Sequence, residues 1–103
     1  MNINDFVIEQ SPIFQREGEE VVYDFVTTPI GSSPSSPSVV ITDKDGNDVT
    51  GTVAPGSASV GAGNLITLPK ISGLNKALNP YRVVVWFTIA GNRLSVWADL
   101  YAY

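Results

Sequence analysis

The segment 81–103 decides the fold: it reads YRVVVWFTIAGNRLSVWADLYAY, two long apolar runs joined by a turn sequence. Each run is predicted to be a β-strand, in which successive side chains point to opposite faces of a sheet. Glycine adopts positive φ at little cost, so Gly91 and Asn92 are predicted to form the two-residue loop of a type II′ hairpin. In the register that follows, Trp86 directly faces Trp97.

The two faces of this hairpin differ in composition. One face is apolar and is predicted to be core, with Val83, Val85, Phe87, Val96 and Leu100. The other face carries aromatic side chains together with one arginine and one aspartate, residue types found at the hot spots of protein interfaces. A directly opposed aromatic pair also stabilises a hairpin by roughly 0.2–1 kcal/mol. The face is therefore interpreted as local stabilisation, as a partner contact, or as both; the candidate interface is Arg82, Trp86, Trp97, Asp99, Tyr101 and Tyr103.

Length and composition predict one globular domain spanning residues 1–103. The chain has 103 residues, of which 44% are hydrophobic and 16% charged, enough for a real core. No apolar run is long enough to predict a membrane-spanning helix. The first residues, MNINDFVIEQ, lack the basic start and apolar stretch of a secretory signal. Synthesis in the cytoplasm is the corresponding expectation.

The residue inventory argues against catalysis. The chain contains no histidine and no cysteine, which excludes disulfides, Ser-His-Asp and Cys-His catalysis, and the usual zinc ligands. The glycines lack the spacing of a phosphate-binding loop. Paired carboxylates could act on a glycoside, but most acids lie in predicted turns. We expect no enzyme activity and no cofactor, and a net charge of −4 disfavours nucleic acid as a partner.

The charges are distributed unevenly along the chain. Residues 1–48 hold nine of the ten acids, whereas residues 49–98 hold none. If the acids collect at one end of the fold, head-to-tail or ring assembly becomes attractive. The alternative interpretation is a set of solvated loops.

Glycine and proline divide the remaining chain into short predicted strands. Pro12 interrupts the first strand, as proline does at sheet edges. Residues 15–19 are predicted to be a polar turn and residues 28–38 a loop rich in serine and proline. The predicted strands are Asp5–Ile8, Ile13–Phe14, Glu20–Thr27, Ser38–Asp43, Asp48–Val53, and a hairpin of Ser57–Val60 with Leu65–Ile71.

The segment from Asp43 to Asn47 resembles a calcium loop only superficially. An EF-hand loop requires glycine at its sixth position and a bidentate glutamate at its twelfth. Counted from Asp43, Gly46 is fourth and Ala54 is twelfth. A turn is therefore predicted here, with no metal.

Tyr81 follows Leu74 and a short polar connection and opens a long strand. This order is typical of the tyrosine corner of immunoglobulin-like domains, in which the hydroxyl bonds to backbone a few residues upstream. The predicted fold is an all-β, Ig-like or fibronectin-like two-sheet antiparallel β-sandwich of about seven strands. A small closed barrel is the alternative.

Four segments resemble small structural proteins of bacteriophages and prophages: Val39–Thr50, Pro55–Val60, Ile71–Leu74 and Tyr81–Val83. The resemblance covers roughly residues 17–103. The proteins that the chain resembles are single Ig-like domains of the fibre–tail adaptor or head–tail type. The resemblance implies a non-enzymatic virion component that contacts itself or other virion proteins, and it implies no site residues. The alternative function is a carbohydrate- or surface-binding module that uses the same aromatic residues.

Overall fold

The computed structural model describes the backbone of residues 6–7 and all of residues 12–103, so the ends of the predicted strand Asp5–Ile8 lie outside the described residues. Eight strands, a one-turn helix and a 3₁₀ turn are described. They are β1 (Phe6–Val7), β2 (Ile13–Gln15), β3 (Asp24–Val26), β4 (Ser35–Thr42), α1 (Thr50–Val53), β5 (Ser59–Gly61), β6 (Leu65–Thr67), the 3₁₀ turn (Lys76–Leu78), β7 (Tyr81–Ile89) and β8 (Asn92–Ala102).

The strands form two separate sheets, as the sandwich prediction requires. The large sheet has the order β1-β8-β7-β4, with β2 also paired to β8, and the small sheet has the order β3-β6-β5. β7 is antiparallel to both of its neighbours, whereas β1 and β2 run parallel to β8. The described strands do not close into the barrel considered as the alternative.

The hairpin of β7 and β8 turns one residue earlier than predicted. Ile89 pairs with Asn92, so the loop is Ala90–Gly91, with φ of 51° and 80°. Positive φ at both positions is the type I′ geometry, which matches the twist of the flanking strands as well as type II′ does. The prediction placed glycine at the first loop position, and the structure places it at the second.

The predicted division of the hairpin into two faces is confirmed. Moving the loop by one residue shifts each pair by two positions, and a two-residue shift keeps every side chain on its face. The five residues predicted to be core are each at most 3% exposed: Val83, Val85, Phe87, Val96 and Leu100. They pack against the small sheet through residues such as Ile66 and Phe25.

The predicted tyrosine corner is confirmed in its hydrogen bonds. The Tyr81 hydroxyl accepts from the backbone N–H of Asn75 at 3.0 Å and donates to the Asn75 carbonyl at 3.2 Å. Tyr81 is 1% exposed, so both bonds are shielded from water. They fix the connection that crosses from the small sheet to β7, and Tyr81 is therefore structural.

The predicted strand Asp48–Val53 is wrong. Only Asp48 forms a bridge, to Thr42, and the chain then enters α1. The Thr50 hydroxyl accepts from the Ile41 N–H at 2.8 Å, while the Asp48 carboxylate accepts from the Thr50 N–H at 2.9 Å. Such side-chain bonds to backbone compete with a strand ladder, and here they replace it.

Three other strand boundaries differ from the predictions. β3 is shorter than Glu20–Thr27, because the pairing shifts by one residue between the bridge of Val21 with Ile71 and the pair of Asp24 with Thr67. β4 begins at Ser35 inside the predicted loop, with an irregular pairing before Ser38. The β5–β6 hairpin is confirmed, although both of its strands are shorter than predicted.

Candidate functional site

The outer surface of the large sheet carries the predicted interface residues. We call this surface the aromatic face; its members are Phe14, Arg16, Arg82, Trp86, Arg93, Trp97, Asp99, Tyr101 and Tyr103. Arg82 and Trp86 lie on β7, Trp97, Asp99 and Tyr101 lie on β8, and Tyr103 follows β8. All six predicted residues are brought together on one face. Arg82 and Tyr103 are exposed, and the other four are half-buried.

The two tryptophans are not opposed, which corrects the predicted pairing. Trp86 pairs with Ser95, and Trp97 pairs with Val84. The indoles therefore occupy diagonal positions, and the expected stabilisation by a directly opposed pair does not apply. The Arg82 guanidinium instead lies over the Trp97 ring, with its carbon 3.8 Å from the ring centroid. This distance is within the range of a cation–π contact.

Arg82 directly faces Asp99 rather than lying diagonal to it. Its Nε and Nη2 both donate to Oδ1 of Asp99, at 3.2 and 3.0 Å. The two side chains are 49% and 29% exposed, and an ion pair so close to water contributes little to stability. Its effect is to hold the guanidinium over the Trp97 ring.

Phe14 belongs to the aromatic face but was not predicted as a site residue. It pairs with Tyr101 through the parallel alignment of β2 with β8, and the two rings stack at 5.7 Å with an interplanar angle of 25°. Phe14 is 63% exposed. The local sequence gives no signal for this contact, because it depends on pairing between the two ends of the chain.

All three arginines of the chain lie on the aromatic face. Arg16 donates from Nε to the Tyr103 hydroxyl at 3.4 Å, and this contact raises the pKa of Arg16. Arg93 donates to the Ser36 carbonyl at 2.6 Å and to the Ser38 hydroxyl at 3.2 Å. Among the described residues, Asp99 is the carboxylate on this face. The face is therefore basic, although the whole chain has a net charge of −4.

Carboxylates collect at one end of the sandwich, the arrangement on which the prediction of head-to-tail assembly depended. The 3₁₀ turn contacts both the 43–48 turn and the 16–20 turn at this end. The backbone N–H of Lys44 donates to the Leu78 carbonyl at 3.1 Å, and the backbone N–H of Lys76 donates to the Glu17 carboxylate at 2.8 Å. The three lysines lie at the same end and partly offset the charge. We call this region the acidic end; its carboxylates are Glu17, Glu19, Glu20, Asp43, Asp45 and Asp48.

Most described carboxylates are engaged in structural contacts. Glu19 accepts from the Arg16 N–H at 2.7 Å, and Glu20 pairs with Lys70 at 3.5 Å. Asp43 accepts from the N–H groups of Asp45 and Asn47 at 2.9 and 3.1 Å. Within residues 6–7 and 12–103, no three acidic side chains are grouped so as to hold a metal ion. The Asp43 carboxylate therefore closes its own turn.

The same hydrogen bonds depress two pKa values. Partial burial raises the pKa of Asp43, but the donors of Asn47 and Asp45 outweigh it, and the net pKa lies below the ordinary value. The Thr50 hydroxyl and N–H lower the pKa of Asp48. A carboxyl whose pKa is lower in the folded chain stabilises the fold above its unfolded pKa, and this contribution is lost as the pH falls through the folded pKa.

We therefore expect the thermal unfolding midpoint to fall as the pH is lowered below about 4. The Asp43→Asn variant should show a smaller fall, because it lacks one of the responsible groups. Calorimetry or circular dichroism between neutral pH and about pH 2.5 measures the difference. Asp45→Asn is the matched control, since Asp45 contributes its backbone N–H to the turn. Identical falls in Asp43→Asn and the unchanged chain would contradict the expectation.

Gln15 is a second residue whose role the sequence did not indicate. It was predicted to be part of a polar turn, but it ends β2 and is 1% exposed. Its Nε2 donates to the carbonyls of Ile71 and Glu19, both at 2.9 Å, and its Oε1 accepts from the Tyr23 hydroxyl at 2.7 Å. Burial, followed by the charge of Glu19, raises the pKa of Tyr23. Gln15 thus links the large sheet to the small sheet at one edge.

Comparison with known proteins supports the fold. No protein family model and no curated protein matches the chain. Among solved structures, it is similar to a chimeric titin Z1Z2 functionalised with an exogenous KLER peptide from decorin, at 17% identity and a TM-score of 0.50, over 91% of this chain and 90% of that one. At this identity the similarity concerns the fold alone. The chain has an Ig-like β-sandwich fold, as the sequence predicted.

None of the helices in the described residues is both long enough and apolar enough to cross a bilayer.

Proposed function

We propose that this protein is a non-enzymatic structural module that assembles through protein–protein contacts made by its aromatic face. The observation that carries the proposal is the concentration of arginine, tryptophan and tyrosine on one side of a regular sheet, with Tyr103 56% exposed. These residue types supply most of the binding energy at protein interfaces. Its arginines are already positioned by aromatic and polar neighbours.

The charge distribution supports a second copy of the chain, or a similar acidic subunit, as the partner. The aromatic face is basic, whereas six carboxylates lie at the acidic end. A contact between the face of one copy and the acidic end of another joins opposite charges, which steers association and fixes its register. Such a contact is heterologous, and it builds rings or filaments according to the rotation between subunits.

The resemblance to small phage and prophage proteins supports a more specific proposal. In it, the chain is a virion component of the tail or head–tail connection, synthesised in the bacterial cytoplasm and assembled with itself or with other virion proteins. A non-enzymatic role agrees with the absence of histidine and cysteine. Capsid, portal or tail genes beside the coding gene would support this placement, and a neighbourhood of unrelated genes would argue against it.

A carbohydrate-binding role is the alternative, and one contact disfavours it. Sugars stack on open aromatic faces, and the Arg82 guanidinium covers one face of Trp97 at 3.8 Å. A glycan array with tryptophan-fluorescence titration tests this role. Binding to a defined glycan would favour it over assembly.

The direct test of the assembly proposal is the Trp86→Ala, Trp97→Ala double variant. Truncating a single interface hot spot costs about 2 kcal/mol or more, which is roughly 30-fold in affinity, so we expect the double variant to weaken self-association or partner capture by at least that factor. Light scattering across a concentration series measures the mass, and pull-down with virion proteins measures capture. Tyr103→Ala, at an exposed position, should weaken association without affecting the core.

The matched control is Val60→Ala, because Val60 is 42% exposed on the small sheet. It should leave mass and capture unchanged. Thermal unfolding of each variant separates lost binding from lost folding. An unchanged mass together with unchanged capture in the folded double variant would exclude the aromatic face as the interface.

A further inference from the structure

A cavity of about 260 Å³ lies between the two sheets at the edge formed by β2 and β3. Apolar side chains of both sheets line it, including Ile13, Phe25, Leu68, Ile71, Val83 and Leu100. Protein interiors rarely leave voids much larger than a water molecule, and an apolar cavity of about 150 Å³ is enough to hold benzene. Asp24, an exposed residue, also borders the cavity.

β3 has a free edge beside this cavity. Among the described strands it pairs with β6 alone. The Tyr23 carbonyl accepts from the Leu68 N–H, and the Thr27 N–H donates to the Asn64 carbonyl, both at 2.9 Å. Because backbone groups alternate in direction along a strand, those of Asp24 point away from β6. An edge of this kind is a template for another extended chain.

A side-chain bridge joins the two sheets at one end of this gap. Gln15 of β2 accepts from the Tyr23 hydroxyl at 2.7 Å and donates to the Ile71 carbonyl at 2.9 Å. Beyond this bridge, Asp24 and Phe25 of β3 line the cavity. An extended segment therefore has a backbone template and an apolar space side by side.

The side chains of the edge define what such a segment must carry. In an added strand, the residue opposite Asp24 points outward with Asp24, and its two neighbours point into the cavity. Val22 and Val26, which flank Asp24, are 51% and 49% exposed. Among the described residues, the ion pairs are Lys70 with Glu20 and Arg82 with Asp99, and neither involves Asp24. The complementary sequence is a lysine or arginine between two apolar residues.

We propose that this gap binds an extended segment of a partner protein, added to the edge of β3, in which a basic residue opposite Asp24 separates two apolar residues that enter the cavity. A second copy of this chain does not supply the segment. Its two suitable triplets are centred on Arg82 and Lys70. Their neighbours Val83 and Ile71 are buried at 2% and 1% exposure, so neither triplet is available.

The test uses three labelled seven-residue peptides and fluorescence anisotropy. In the first peptide valine alternates with lysine, in the second valine alternates with glutamate, and in the third serine alternates with lysine. Replacing an attractive surface pair by a repulsive one is expected to weaken binding roughly fivefold or more, so the valine–glutamate peptide should bind correspondingly less tightly than the valine–lysine peptide. The serine–lysine peptide should not bind, because it offers nothing to the cavity.

Asp24→Lys should invert the preference between the lysine and glutamate peptides. Asp45→Lys makes the same change of charge in a distant turn and should leave the preference in place. In amide hydrogen exchange, the peptide should protect the Asp24 N–H. The Trp86→Ala, Trp97→Ala variant should bind the peptide normally, so failure of this proposal is separate from failure of the aromatic-face proposal.

Four results would overturn the inference: no binding of the valine–lysine peptide, equal binding of all three peptides, equal effects of Asp24→Lys and Asp45→Lys, or binding without protection of the Asp24 N–H. Equal effects of Asp24→Lys and Asp45→Lys would show that the peptide is attracted to the net charge of the whole chain and not to Asp24. Binding without protection would place the peptide away from β3.

Discussion

Replacing Phe87 by alanine is expected to lower the free energy of unfolding by about 3–5 kcal/mol. Phe87 is fully buried, and its ring centroid lies 5.8 Å from that of Phe25. Phe87 belongs to the large sheet and Phe25 to the small sheet, so alanine removes an aromatic contact between the layers and leaves a cavity. The loss is a large part of the roughly 5–15 kcal/mol that stabilises a typical domain. Urea unfolding followed by tryptophan fluorescence measures it.

Val84→Ala is the matched control for this substitution. Val84 lies on the same strand, three residues away, but it is half-buried on the aromatic face. We expect it to cost less than about 2 kcal/mol, because less apolar surface is lost and solvent can fill the space. A Phe87→Ala loss no larger than that of Val84→Ala would show that the packing of the two sheets does not depend on this ring.

Gln15→Leu is expected to destabilise the fold by about 2–4 kcal/mol, although leucine is similar in size and more apolar. The substitution removes the amide donor of the hydrogen bonds to the carbonyls of Ile71 and Glu19. It also removes the acceptor of the hydrogen bond from the Tyr23 hydroxyl. A buried polar group left without a partner costs more than its hydrogen bond contributed. Denaturant unfolding provides the measurement.

A double-mutant cycle with Tyr23→Phe isolates the contact between the two side chains. Removing the Tyr23 hydroxyl also removes one of the groups that Gln15→Leu leaves unsatisfied, so the two losses should not add. Phe14→Ala, at the exposed neighbour of Gln15, serves as the control and should cost less than about 1 kcal/mol. A Gln15→Leu variant as stable as the unchanged chain would show that water satisfies these groups.

The faces of the hairpin were predictable because strand alternation has a period of two. Val83, Val85 and Phe87 remain in the core in either register, and Trp86 and Trp97 remain outside it. The loop position was not predictable from Gly91 alone, because glycine suits either central position of a two-residue turn. The pairing partners therefore changed while the two surfaces did not.

The remaining differences arise from contacts between distant parts of the chain or from competing side-chain bonds. Gln15 lies beside Arg16 and Glu17 in the sequence and has the local character of a surface turn. It is buried because β2 aligns with β8, more than 80 residues away. Threonine is favoured in strands, yet the Thr50 hydroxyl accepts the hydrogen bond from the Ile41 N–H. The placement of the six candidate residues on one face was predictable from strand alternation, whereas the contact of Phe14 with Tyr101 required the tertiary pairing.

The parallel pairing of β1 and β2 with β8 sets how the sandwich would respond if it were stretched between its two ends. These strands run side by side in the same direction, at opposite ends of the described chain. Tension that enters along the chain through β1 and leaves beyond β8 pulls the neighbouring strands past each other. Their ladder hydrogen bonds are then loaded together in shear, whereas an antiparallel pair such as β5 and β6 opens one bond at a time when its free ends are drawn apart.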